Sequence, residues 1–194
     1  MLNSSKNHTG LINFIDMKHY LFLAVVFLMV ACSNKKKNIE ENVKDLAVSE
    51  NLKEADVQLE VYDFDGFEKF LNIKDDKIHV INFWATWCAP CVKELPYFEK
   101  LKAEHEEVDF VLVSLDFPHL YDTKLKPFMR KHKLKSKVIA LDDVDSNTWI
   151  PKVDETWSGS IPATIIYKNG KRKFYEQSFT YEELEHELKQ FLNE

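Results

Sequence analysis

The chain has 194 residues, 45% of them hydrophobic and 30% charged, enough for one globular domain with a real core plus some non-globular length. A net charge of −6, with Lys and Arg dispersed among Asp and Glu, excludes nucleic acid as an expected partner. The basic stretch from Lys124 to Lys135 reads as a solvated helix face rather than a docking patch.

Near the N-terminus, Lys18-His19 precedes the apolar run Tyr20 to Val30, too short to span a bilayer but suited to the apolar region of a secretory signal. The run closes on Met29-Val30-Ala31-Cys32, and this small-residue-then-cysteine ending resembles a bacterial lipobox, although Met29 stands where Leu is usual. Residues 1–31 are therefore expected to be a signal peptide, with Met17 as an alternative start, and Cys32 the site of lipidation. The competing reading is an uncleaved anchor or an ordinary signal with a chance cysteine; export follows from either. Residues 32–54 are rich in Lys, Asn and Glu, lack aromatics, and read as a flexible tether. The expected location is the bacterial cell envelope, with residues 55–194 folded, held to a membrane by the lipid and facing the periplasm.

Within that domain, Val57 to Tyr62 alternates at period two and suggests a strand, followed by a turn and short helix from Gly66 to Asn72. Ile78 to Trp84, a largely apolar run, is the central buried strand; a helix runs from Cys88 to about His105; Val108 to Leu115 is a second buried strand of the parallel type. Asp122 to His132 reads as a helix with Pro127 in its first turn or at a kink, and Lys137 to Leu141 as another strand. Asp143, Asp145 and Asn147 alternate like the opening of a calcium loop, but Thr148 replaces the required Gly and Asp154 the closing Glu, so a polar loop is expected there. Ile165-Ile166-Tyr167 and Lys173-Phe174-Tyr175 flank Asn169-Gly170, a type I′ hairpin signal. Thr180-Tyr181-Glu182-Glu183 is a capping box opening a last helix with the apolar stripe Leu184, Leu188, Phe191 and Leu192.

The chemistry lies in Trp87-Cys88-Ala89-Pro90-Cys91, directly behind the buried strand. Cysteines at i and i+3 enter the first turn of a helix, where unpaired amide N–H groups and the positive end of the macrodipole stabilise a thiolate at Cys88. Cys91, one turn on, can close a disulfide with it after the first attack, so Cys88 is the expected nucleophile and Cys91 the resolving thiol. A zinc site would need a second pair of soft ligands, but Cys32 lies far upstream and His105, His119 and His132 show no paired spacing. A purely structural bridge over one helical turn would constrain little of the unfolded chain. No metal is expected, and no cofactor beyond the redox-active Cys88–Cys91 disulfide itself.

Three marks, Asn82 to Cys91, Pro96 and Ser160-Ile161-Pro162-Ala163-Thr164, make the chain from about Val57 onward resemble the thioredoxin superfamily, and specifically its membrane-tethered TlpA/ResA-like branch of thiol–disulfide oxidoreductases. From the residues alone, Pro96 kinks the helix that starts at the cysteines. The resemblance implies an α/β thioredoxin fold with an N-terminal extension and a central α/β insertion, for which Asp122 to Leu141 is the candidate. It implies that Pro162 is the cis-proline facing the dithiol and that Ile161 pairs with the substrate strand; the alternative is a Pro that merely opens an edge strand. Trp87, Ala89, Pro90, Ile161 and Pro162 are the expected substrate groove, and Trp84 and Trp87 are expected to wall it and keep Cys91 dry. Helical spacing places Glu94 near Cys91, and it matches the glutamate such proteins carry beside their dithiol; a solvated surface Glu is the alternative. Asn82 departs from cytosolic thioredoxins, which carry a buried aspartate at that point.

Ala89-Pro90 places no histidine between the cysteines and resembles reducing members, so the expected activity is reduction of disulfides in exported proteins, with apocytochrome c thiols the branch's best-known targets. A dithiol in an oxidising compartment needs electrons, so a reductase implies a membrane electron donor. An oxidase or isomerase, or a redox-idle module of the same fold binding a metal or partner, are the rival readings.

Overall fold

The structure, a computed structural model, describes residues 57–192. The expected signal peptide, Cys32 and the tether lie outside these residues.

A strand with apolar residues on both faces is stable only with both faces covered, and β2 (Ile78–Trp84) is buried at every position. It pairs in parallel with β3 (Val108–Ser114), and β4 (Lys137–Leu141) and then β1 (Glu60–Tyr62) extend the sheet in parallel beyond β3. On its other side β2 pairs antiparallel with β5 (Ala163–Lys168), which forms a hairpin with β6 (Lys171–Tyr175). The sheet order is thus β1-β4-β3-β2-β5-β6. The hairpin closes through Asn169 and Gly170, both at positive φ (49° and 85°), as a type I′ turn requires.

Side chains alternate across each strand, so the central strands supply two cores. Ile78, Val80, Trp84, Phe110, Leu112 and Ile166 face α2 (Ala89–Glu104) and α5 (Tyr181–Leu192), meeting Leu95, Phe98, Leu101, Leu184, Leu188 and Phe191. Ile81, Phe83, Val111, Val113, Ile139 and Ile165 face α1 (Phe64–Phe67) and a further helix, α4 (Ser146–Val153), meeting Phe64, Phe67, Trp149 and Val153. Burying each such side chain contributes on the order of 1.5–3 kcal/mol before the loss of chain entropy is subtracted. α3 (Lys126–His132) is preceded by a π-helical turn at Tyr121–Leu125, carries Pro127 in its first turn, and ends where Lys133 takes a left-handed conformation (φ 52°).

The capping box forms as read: the Glu183 carboxylate accepts from Thr180 N–H at 2.8 Å and Thr180 Oγ1 accepts from Glu183 N–H at 3.3 Å. Two readings need correction. The first strand pairs only from Glu60, because the β4 register offers it partners from Ile139 to Leu141 alone. The expected polar loop after β4 instead contains α4, which buries Trp149 and Val153. Its extent and Pro151 hid its period, and Asp143 stabilises the approach by accepting from Phe64 N–H at 3.2 Å and Asp145 N–H at 2.9 Å. The stretch between β3 and β5 therefore contains α3, β4 and α4, and its ordered elements run past Leu141.

Candidate active site

Parallel strands deliver their following loops to the carboxyl edge of the sheet, where α/β folds collect reactive groups. Here the β2 loop ends with Cys88 as the N-cap of α2. Pro90 sits in the first turn, where its missing N–H costs nothing because that donor has no helical acceptor. α2 continues unbroken through Pro96 to Glu104. Cys88 Sγ accepts from Cys91 N–H at 3.3 Å, and Cys88 and Cys91 form a disulfide with Cα atoms 5.3 Å apart. Cys88 is 6% exposed and Cys91 0%, so the sulfur offered to a partner is that of Cys88.

The Ile161–Pro162 peptide is cis, and the Ile161 carbonyl oxygen lies 3.6 Å from Cys88 Sγ. The loop before it is held by Glu176, whose carboxylate accepts from Ser158 N–H at 3.0 Å and Ser160 N–H at 2.9 Å. Of the other residues expected in the groove, Ala89 and Pro90 are exposed, Ile161 is half-buried and Pro162 is buried. The two tryptophans divide. Trp84 lies in the same buried cluster as Cys91, packed 5.4 Å from the Phe128 ring, whereas Trp87 stands 57% exposed outside that cluster.

Glu94 is wholly buried, which removes the solvated alternative. Strand parity turns Asn82 toward α2, and Asn82 Nδ2 donates to Glu94 Oε1 at 3.0 Å and to Thr164 Oγ1, directly across the β2–β5 ladder, at 3.1 Å. Phe179 N–H and Ser178 Oγ donate to Glu94 Oε2 at 2.7 and 2.9 Å. Burial pushes the Glu94 carboxyl above its ordinary range, against the downward pull of the Phe179, Ser178 and Asn82 donors. Asn82 Oδ1 is buried without a donor, so a protonated Glu94 finds an acceptor in the same amide once that amide turns over. Donors from β2 and from the approach to α5 thus converge on one carboxyl group a helical turn from the resolving thiol, an arrangement that can store or release a proton when Cys91 does.

Asp116, which the sequence reading passed over, is buried and accepts from Thr86 N–H at 3.0 Å, Thr86 Oγ1 at 2.5 Å and Ser114 Oγ at 2.8 Å. It fixes the loop that carries Cys88 to the end of β3, but nothing in the sequence links it to Thr86. Among the described residues one group brings three metal-type ligands within 4.8 Å of one another: Asp75, His79 and Asp109, at the start of β2 and away from the dithiol. Its charges satisfy themselves, with His79 Nε2 on Asp75 at 2.8 Å and Lys77 Nζ 3.3 Å from both Asp109 oxygens.

The sequence profile of the AhpC/TSA family matches residues 39–171. Thiol-disulfide oxidoreductase ResA of Bacillus cereus is 34% identical over 115 residues, 57% of this chain and 61% of that protein. Thiol-disulfide oxidoreductase ResA of Oceanobacillus iheyensis is 39% identical over 105 residues, 50% of this chain and 48% of that protein. The chain therefore spans less than two thirds of the length of either relative. A thioredoxin-related protein from Neisseria meningitidis serogroup B superposes with a TM-score of 0.53 at 23% identity, over 62% of this chain and 88% of that one. The fold is thioredoxin-like, as the sequence marks imply.

Proposed function

We propose, for a chain that belongs to the AhpC/TSA family, the role of an extracytoplasmic thiol–disulfide oxidoreductase that reduces disulfides in exported proteins through Cys88 and Cys91. The observation that carries this reading is the dithiol itself: Cys88 at the helix N-cap with its sulfur on the Cys91 N–H, and Cys91 fully buried behind it. The names of the relatives support the same chemistry.

The Cys88 thiolate attacks a substrate disulfide. A Cys88–substrate S–S bond forms, the substrate S–S bond breaks, and the second substrate sulfur leaves as a thiolate. The Cys91 thiolate then attacks Cys88 Sγ, closing the Cys88–Cys91 disulfide and releasing the substrate with two reduced sulfurs. Glu94 takes up the Cys91 proton in this second step. The two electrons return from a membrane donor, without which an exported dithiol stays oxidised. Ala89-Pro90, with no imidazolium to stabilise the thiolate further, supports the reducing direction. Turnover tests the reading: the full chain, kept reduced by dithiothreitol, accelerates reduction of the insulin interchain disulfides, and a rate no higher than dithiothreitol alone contradicts it.

The lipobox-like Met29 to Cys32 supports anchoring of the domain to a membrane through lipidated Cys32, with residues 32–54 as tether. Among the described residues no helix is long and apolar enough to cross a membrane. Cys32→Ala is expected to leave the precursor unprocessed, or to move the domain to the soluble extracytoplasmic fraction, with unchanged activity on a soluble disulfide. Mass spectrometry that finds Cys32 unmodified in the mature membrane-bound form overturns the anchor.

A further inference from the structure

Trp87 and Phe117 are large apolar side chains left mostly in water, 57% and 58% exposed, and the sheet brings both to the dithiol. β2 and β3 end in register, Trp84 opposite Ser114, and the Leu115 N–H continues the ladder by donating to the Trp84 carbonyl at 2.8 Å. The loops that follow therefore leave the sheet side by side. The buried Asp116 carboxylate then ties one loop to the other through the Thr86 N–H and hydroxyl. The residue after each tied position is an exposed ring: Trp87 after Thr86, Phe117 after Asp116. Phe117 is further stacked on His119, with ring centroids 5.9 Å apart and planes at 15°. A buried carboxylate holding two solvent-facing aromatics in fixed positions is an arrangement that a fold stabilised only by burial would not need. The row continues one strand farther, where Val144, 98% exposed, follows the carboxyl end of β4.

We propose that Trp87 and Phe117 form a docking strip for an extended, apolar segment of the substrate chain next to the cysteine that Cys88 attacks. The proposal rests on the thiol–disulfide reading above, because the covalent step selects the occupant. Once the Cys88–substrate bond has formed and the other substrate sulfur has left, the residues flanking the attacked cysteine are held against Trp87, the immediate neighbour of Cys88, and the loop tied beside it. Cysteines destined for a protein interior are flanked by apolar residues, exposed only while that chain is unfolded or wrongly paired. The strip therefore favours disulfides in unfolded exported chains over exposed, polar-flanked ones.

The test uses the full chain carrying Cys91→Ser, which halts the reaction at the mixed disulfide. Two peptides with one internal disulfide each are offered, one with Leu and Phe beside the cysteines and the other with Ser and Gly, and adduct formation is timed by mass spectrometry. Covering one ring predicts capture of the apolar peptide about tenfold faster than the polar one. Adding Phe117→Ser, which leaves Trp87 in place, cuts that preference severalfold. Ile73→Ser, at the opposite edge of the sheet and 38% exposed in the native chain, keeps the preference. Equal rates in the starting protein, a preference undiminished by Phe117→Ser, or one reduced equally by Ile73→Ser, overturns the strip and leaves the exchange reaction standing. Capture of neither peptide overturns the exchange reaction itself.

Discussion

Cys88→Ser is expected to abolish reduction of a protein disulfide, whereas Cys91→Ser retains the first attack and accumulates covalent adducts. The two sulfurs sit one helical turn apart but in different surroundings. Cys88 is the N-cap, where amide N–H groups without helical acceptors and the positive end of the helix favour a thiolate, and its Sγ already accepts from the Cys91 N–H at 3.3 Å. Serine retains that hydrogen bond but supplies no thiolate, so turnover falls to the uncatalysed background. Cys91 is fully buried, which denies a substrate sulfur a path to it while leaving it in reach of Cys88. Its loss removes only the step that frees the substrate. Mass spectrometry of both variants after exposure to a disulfide-containing protein checks the assignment; adducts on Cys88→Ser rather than Cys91→Ser would reverse the two roles.

Glu94→Gln is expected to slow resolution of the mixed disulfide by roughly a hundredfold, the lower range for a positioned acid–base group, with Cys88 attack comparatively intact. The same substitution alters stability. Burial raises the carboxyl's folded-state pKa above its unfolded value, so the proton it holds favours the native state. That contribution is complete below the unfolded pKa, near 4.5, and is lost as pH rises through the higher folded value. Over that window the native chain loses stability, and Glu94→Gln, which does not ionise, flattens the curve. Rapid mixing across pH separates adduct formation from its resolution, and denaturant titration at each pH supplies the stability curve. Unchanged resolution at every pH would leave Glu94 a structural carboxyl holding α2, β2 and the approach to α5 together.

Much of this site was legible because its signals are local. The largely apolar run of β2, the cysteine spacing, the Asn-Gly turn and the Thr180–Glu183 capping box each specify geometry within a few residues, and each is found where its sequence places it. Glu94 was legible only halfway. Helical spacing put it near Cys91, but whether it faced water depended on Asn82, Ser178 and Phe179, which reach it from distant segments. Asp116 and Glu176 were missed for the same reason, since the backbone groups they hold lie far along the chain. Trp84 and Trp87 were given one joint role as groove walls, and the sequence did not show that Trp84 sits in the core while the loop geometry turns Trp87 outward. α4 escaped because eight residues interrupted by Pro151 carry too little of a helical period to be heard.

The direction of electron flow is the centre of the account, and the reduction potential of the Cys88–Cys91 couple measures it directly. Equilibration of the full chain against a defined thiol–disulfide buffer, with the oxidised fraction read by thiol alkylation and mass, gives the value. A reductase predicts a potential close to that of thioredoxin, about −270 mV. A potential close to that of DsbA, about −120 mV, would make this chain an oxidant of exported proteins and contradict the account.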